Sequence, residues 1–152
     1  MQDAPGRTIL NVGENTMDWQ QRMSAALMHI EENLTGKLTT EDIAARANCS
    51  PFHFMRMFEI VTGIGPAEYV RRRRLTCAAV DIASGDERVI DIAVKYGYDS
   101  PDSFSRAFKR EFGMLPSEAR APGTRLHSYP PLSFSVALTG DKAIEYRIEK
   151  HE

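Results

Sequence analysis

Apolar positions recur at steps of three and four through most of the chain and change to strict alternation only near its end. From Met17 to Leu34 the residues Trp19, Met23, Leu27, Ile30 and Leu34 mark one face of a helix, with Asp18 as its candidate N-cap and Gly36 as its stop. Thr39-Thr40-Glu41-Asp42 opens a short second helix with Asp42 three positions after Thr39, a capping-box variant; its inward residues are Ile43, Ala44 and Ala47. Asn48-Cys49-Ser50 makes a turn, and asparagine tolerates the left-handed backbone such turns often need. Ser50 then caps a third helix that begins at Pro51 and ends at Gly63. Gly65-Pro66 starts a longer helix through about Ser84, with Tyr69, Leu75, Ala78, Ala79 and Ile82 as buried positions and Gly85 as its close. Helices over Val89 to Tyr96, Pro101 to Phe112 and Pro116 to Arg120 follow, separated by Gly97-Tyr98-Asp99 and Gly113. After Ala121-Pro122-Gly123 the period falls to two: Leu132 to Leu138 and Ala143 to Glu149 alternate around Thr139-Gly140-Asp141-Lys142, which predicts a β-hairpin. A lone hairpin is marginal in water and needs a surface to pack on. Residues 1–16 show no period and read as a disordered extension.

The helical part repeats itself. SPFHFMRMFEIVTG, from Ser50 to Gly63, aligns with SPDSFSRAFKREFG, from Ser100 to Gly113, at an offset of 50. Pro51, Phe54, Arg56, Phe58, Gly63 and Pro66 thereby pair with Pro101, Phe104, Arg106, Phe108, Gly113 and Pro116. Upstream, Asp42-Ile43-Ala44 pairs with Asp91-Ile92-Ala93 at an offset of 49, so the turn between differs by one residue. The repeated unit is a helix-turn-helix. The fold class expected is all-α: two helix-turn-helix subdomains, about seven helices in all, joined by a long linker helix and followed by a hairpin tail. The boundaries are 1–16 extension, 17–65 first unit, 66–84 linker helix, 85–121 second unit and 122–152 linker and hairpin.

With 42% hydrophobic and 26% charged residues in 152, the chain has the composition of a soluble globular protein. It shows no apolar run near membrane-spanning length and no signal peptide, so the cytosol is the expected compartment and no membrane partner is expected. Cys49 and Cys77 have neither metal-ligand spacing nor a partner motif and read as reduced packing thiols. No Cys/His pairing, HExxH or glycine-rich phosphate loop is present, so neither an enzyme nor a cofactor is expected. The net charge of −2 argues weakly against a nucleic-acid binder. Residues 17–125 hold 15 Lys+Arg against 15 Asp+Glu, yet Arg71-Arg72-Arg73-Arg74 and Arg106/Lys109/Arg110 are concentrated, and a face can be basic while the molecule is not.

On the helix at 101–112, Phe104 and Phe108 set the buried face. At about 100° per residue, Asp102, Arg106 and Lys109 lie opposite, flanked by Ser103, Ser105 and Arg110. Short polar residues near the helix start allow close approach to a phosphate, and an arginine can fork onto guanine O6 and N7. A single helix of this kind reads as readily as a solvated amphipathic surface; the duplicate at fixed spacing turns the reading toward DNA. In the first copy Phe52, Arg56 and Glu59 point outward, flanked by His53 and Met55. Phe52 and Met55 donate no hydrogen bond, so they either touch thymine methyls and sugar edges or pack on a neighbouring loop. Glu59 is unfavourable near phosphate and is placed to pair with Arg56, three residues away; His53 reads equally as a phosphate contact or a satisfied helix residue. Arg71 to Arg74 sweep about 300° of helix, so one or two can face DNA, the others being solvated or paired, for example with Glu68 or Asp81. The linker helix of 19 residues is about 28 Å long, near the 34 Å or so of one B-DNA turn, which suits two helices entering successive major-groove segments.

The stretches TTEDIAARANCSPFHFMRMFEIVTGIGPAEYVRRRRL and VIDIAVKYGYDSPDSFSRAFKREFGMLPSEAR resemble the AraC/XylS family DNA-binding module, of the MarA, SoxS and Rob kind, over residues 17 to about 121. The pattern IAxxxGYxSxxxFSRAFKxxFGxxPSExR is highly specific to that family. The resemblance implies a bacterial transcription regulator, usually an activator that meets RNA polymerase at promoter DNA. Carried over by position, it implies DNA contacts from Phe52, Met55, Arg56, Asp102, Ser103 and Arg106, with Lys109 toward phosphate. Met55 stands where relatives often have a polar residue and Glu59 where a base is common. Tyr129-Pro130-Pro131-Leu132 and the hairpin are similar to the start of a GyrI-like effector-binding domain, which implies a fragment of a regulator responsive to a small-molecule effector. Three further readings compete with a DNA regulator: a sensor whose DNA module is only the output, a protein adaptor using Phe52 and Met55, and an enzyme, for which the sequence offers no support.

Overall fold

Each helix begins and ends where its capping residues place it. The structure, a computed structural model, describes residues 7–10, 16–138 and 144–150, and side chains over 19–134. Among them are a strand β1 (Arg7–Leu10), seven helices, α1 (Thr16–Glu32), α2 (Thr40–Arg46), α3 (Pro51–Thr62), α4 (Pro66–Ser84), α5 (Val89–Lys95), α6 (Pro101–Phe112) and α7 (Pro116–Ala119), and strands β2 (Leu132–Leu138) and β3 (Ile144–Lys150). The all-α reading therefore holds, with a small sheet added. The repeat is reproduced in its caps. Ser50 Oγ accepts the His53 N–H at 3.2 Å and Ser100 Oγ accepts the Ser103 N–H at 3.1 Å, each before a proline at the first helical turn. Both helices stop on a left-handed glycine, Gly63 at φ 81° and Gly113 at φ 78°. The turns that precede them match as well: Asn48 has φ 56° and its counterpart Gly97 has φ 84°. Thr39 Oγ1 accepts the Asp42 N–H at 3.1 Å and donates to Asp42 Oδ2 at 2.7 Å, so the Asp42 carboxylate closes on the threonine hydroxyl. α1 starts at Thr16, so Asp18 sits in its first turn and is not the N-cap.

The chain divides into two compact units. The first holds α1, α2, α3, the opening turn of α4 through Tyr69, and the three strands. Its core is Met23, Leu27, Ile30, Ile43, Ala44, Phe54, Phe58, Val61 and Tyr69, all buried. The aromatic rings stack at 5.7 Å for Phe54 and Phe58 and 5.6 Å for Phe58 and Tyr69. The sheet runs β1-β3-β2, antiparallel throughout, with Arg7 opposite Arg147 and Leu132 opposite Lys150. The hairpin finds its surface on α1: the Trp19 ring meets Phe134 edge-on at 5.7 Å, and Gln20 Nε2 donates to the Phe134 carbonyl at 3.2 Å. The buried Tyr69 hydroxyl accepts the Leu132 N–H at 3.0 Å and ties β2 to α4. The expectation of a disordered 1–16 is corrected at residues 7–10, where a strand pairs with β3. Four residues are too few to show a period of two, and the pairing comes from the other end of the chain. Residues 1–6 and 11–15 of that extension, and the turn expected at 139–142, lie outside the described residues.

The second unit holds the loop 33–37, α4 from Val70, and α5 to Pro130. Its core is Leu75, Ala78, Ile82, Ile92, Ala93, Tyr96, Phe104, Phe108 and Ala119. The Arg120 guanidinium donates to the Ile82 carbonyl at 3.3 Å and also to that of Glu87, holding the C-terminal end of α4 and the turn after it. Among the described residues no helix is long and apolar enough to cross a membrane, and no group of acidic, His and Cys residues is set to hold a metal. Cys49 and Cys77 form no disulfide and are half-buried; burial pushes the Cys49 thiol up, against a smaller opposing effect of Arg22.

Asp81 at the edge of this core accepts from the Tyr96 hydroxyl at 2.7 Å and from Lys95 Nζ at 2.9 Å, and Lys95 also reaches Glu87 at 3.0 Å. Burial first, and then the Asp81 carboxylate, push the Tyr96 phenol well above its ordinary range. A phenol raised in the folded state contributes stability that is complete below the unfolded value of about 10 and is lost as pH climbs past it. Melting temperature is therefore expected to fall above about pH 10. Tyr96→Phe should start about 1.5–3 kcal/mol lower at neutral pH, the worth of a hydrogen bond to a charged group, and then fall less steeply. Thermal melts of both proteins between pH 7 and 11 check this.

Candidate nucleic-acid interface

Helix α6 keeps Phe104 and Phe108 wholly buried, which turns Asp102, Arg106 and Lys109 to solvent. Among the described residues none of those three forms an ion pair or side-chain hydrogen bond, nor does Arg110. Two uncommitted cations on the outer face and one at its flank thus follow the helix start. Ser103 is different. Its hydroxyl donates to the Ser100 carbonyl at 2.9 Å and lies 3.1 Å from Ser100 Oγ, half-buried within the cap. It serves the geometry of the helix start and offers a ligand only the remaining capacity of its oxygen.

Helix α3 presents the equivalent face with other chemistry. Phe54 and Phe58 are buried, while Phe52 is 69% and Met55 46% exposed, with Arg56 and Glu59 also at the surface. The Arg56 guanidinium carbon stands over the Phe52 ring, 5.8 Å from its centroid. Among the described residues no ion pair joins Arg56 to Glu59, so the pairing anticipated from their spacing is replaced by this stack. His53 is exposed and contributes its backbone N–H to the cap. The two helices therefore place Phe52, Met55 and Arg56 on one surface, and Asp102, Arg106 and Lys109 on the other. Of the seven residues picked out, only Ser103 is withdrawn from the surface.

The arginine block looked the more obvious cationic feature, and all four side chains have partners inside the protein. Arg71 pairs with Glu111 at 3.3 Å. Arg72 lies over the Tyr129 ring at 5.2 Å. Arg73 is 7% exposed, donates to the Tyr129 carbonyl and approaches Cys77 Sγ at 3.9 Å. Arg74 donates to the carbonyls of Leu34 at 2.8 Å and Gly36 at 2.7 Å, and burial holds its guanidinium below the usual value. Asp81, one of the anticipated partners, is taken by Lys95 and Tyr96. The block ties the 121–130 segment and the 33–37 loop to α4. Sequence alone could not show this, because carbonyl groups as partners leave no signature in residue type.

Residues 43–122 match the family described as a helix-turn-helix domain, a span that includes α3 and α6. The transcriptional activator AarP of Providencia stuartii is 40% identical over 102 residues, 67% of this chain and 76% of its own. The regulatory protein SoxS of Salmonella typhimurium is 36% identical over 104 residues, 68% of this chain and 97% of its own. Among solved structures, the DNA-binding domain of AdpA, crystallised with a target DNA, superposes with a TM-score of 0.61 at 27% identity, covering 66% of this chain and 90% of its own.

Proposed function

The chain belongs to the AraC-type family of helix-turn-helix regulators, and from that premise we propose that it binds promoter DNA sequence-specifically, with α3 and α6 as its two recognition helices. The observation that carries the reading is the contrast between cations. Arg106 and Lys109 stand exposed and uncommitted on the face of α6 opposite its buried phenylalanines, whereas the four consecutive arginines have partners within the protein. Arg106 reads a guanine edge and Lys109 neutralises a phosphate. In this reading the duplicated unit engages one duplex twice, in successive major-groove segments, as the repeat at an offset of 50 suggests. The protein acts in the cytoplasm, without chemistry of its own, as an activator that brings RNA polymerase to the promoter.

The ligand-sensing alternative places a GyrI-like effector domain after the module. The docking of the hairpin on α1 through Trp19, Gln20 and Phe134 favours a structural part for these strands within the first unit, and so favours the first reading. Selection of bound duplexes from a random library tests the proposal: two preferred blocks should be enriched, and a library recovered without sequence preference would count against it.

The division between free and committed cations makes its own prediction. Lys109→Ala is expected to weaken binding to all duplexes and to lower the slope of log affinity against log salt by about one. Arg74→Met should leave that slope unchanged while destabilising the second unit by about 1–3 kcal/mol, since two backbone carbonyls lose a charged donor. Salt titrations by fluorescence anisotropy, alongside urea melts, separate the two.

A further inference from the structure

The outer face of α3 carries apolar side chains that the fold does not require. The internal repeat supplies the control: where α3 has Phe52 and Met55, α6 has Asp102 and Ser105, with the same caps, the same buried phenylalanines and the same helix length. A phenylalanine 69% exposed beside a methionine 46% exposed is thus a property of the surface and not of the packing. Neither side chain can donate or accept a strong hydrogen bond, and the major groove displays a single apolar group, the C5-methyl of thymine. Arg56, which lies over the Phe52 ring at 5.8 Å, is the one donor in the cluster, and its fork suits guanine O6 and N7. The stack limits where the guanidinium can go: when Phe52 rests against a methyl, Arg56 is held for the neighbouring base.

Resting on the DNA-binding reading above, we propose that Phe52 and Arg56 act as one reader of a C5-methylated pyrimidine followed by guanine. The methyl of thymine in a TpG step and that of 5-methylcytosine in a methylated CpG step occupy the same place in the groove. The first unit therefore prefers TpG or methylated CpG over unmethylated CpG, and cytosine methylation within its block strengthens binding. Its twin, with Asp102 and Ser105 in these places, has no such dependence.

The test uses the full chain and a duplex enriched from the random library, measured by fluorescence anisotropy. Each thymine is replaced by deoxyuracil, which removes the methyl and keeps the base pair. Each pyrimidine preceding a guanine is also tested as cytosine and as 5-methylcytosine. At one such position, loss of the methyl should weaken binding about fourfold, the worth of one buried methyl-sized group, and 5-methylcytosine should bind about fourfold tighter than cytosine. Both differences should vanish in Phe52→Ala, an exposed site where folding is not at stake, and persist in Arg106→Ala. Methyl removal without effect at every position, or an effect that survives in Phe52→Ala, overturns the proposal while leaving the Arg106 contact standing. If no duplex is enriched at all, the DNA-binding reading fails and this inference falls with it.

Discussion

Phe108→Ala is expected to cost the second unit about 3–5 kcal/mol, the usual price of truncating a wholly buried aromatic side chain. Phe108 has no exposed surface, and its ring sits 5.7 Å from Phe104 and 4.6 Å from Phe112. Around it pack Leu75, Ile82, Ile92 and Tyr96. These neighbours come from α4 and from α5 with its C-cap Tyr96, whose backbones are held by the Arg120 clasp and the Asp81 cluster, so the cavity has little freedom to collapse. A unit of this size has a net stability of only a few kcal/mol, so the loss is comparable to the whole. Urea denaturation followed by circular dichroism should show the second unit unfolded or nearly so at 25 °C. Phe112→Ala, at a half-buried ring, should cost clearly less. Should both variants melt like the parent, the aromatic stack would not be the core of the unit.

Arg106→Ala should have the opposite profile. The side chain is exposed and makes no ion pair or hydrogen bond among the described residues, so melting temperature should not move. Affinity for the preferred duplex should fall by about 1–3 kcal/mol, roughly 5- to 150-fold, because the forked guanidinium contact is lost from one base pair. Specificity at that pair should relax, while mutations elsewhere in the site keep their effects. Competition binding against duplexes altered one pair at a time measures this. An unchanged preference at every position would place base reading elsewhere than on α6.

The helices were legible in the sequence because their causes are local. Ser50 and Ser100 before prolines, Gly63 and Gly113 after phenylalanine-based apolar faces, and Asn48 with Gly97 in the turns act within a few residues of themselves. The outward faces of α3 and α6 follow from the same spacing, so Phe52, Met55, Arg56, Asp102, Arg106 and Lys109 were correctly expected at the surface. What the sequence hid depends on partners far along the chain. Arg74 answers carbonyls at 34 and 36, Arg73 and Arg72 answer Tyr129, and β1 pairs with β3. A run of four arginines and a featureless stretch of sixteen residues give no hint of such contacts. The half-buried setting of Ser103 has a smaller cause: its hydroxyl turns back to the Ser100 carbonyl, a rotamer choice that residue type does not reveal.

Methylation protection on the enriched duplex tests the pairing of α3 and α6 on one DNA most directly, since guanine N7 lies in the major groove. Two protected segments are expected about one helical turn, roughly 10 base pairs, apart. Arg56→Ala should expose one of them and Arg106→Ala the other. A single protected segment, or two segments that both variants leave intact, would contradict the account.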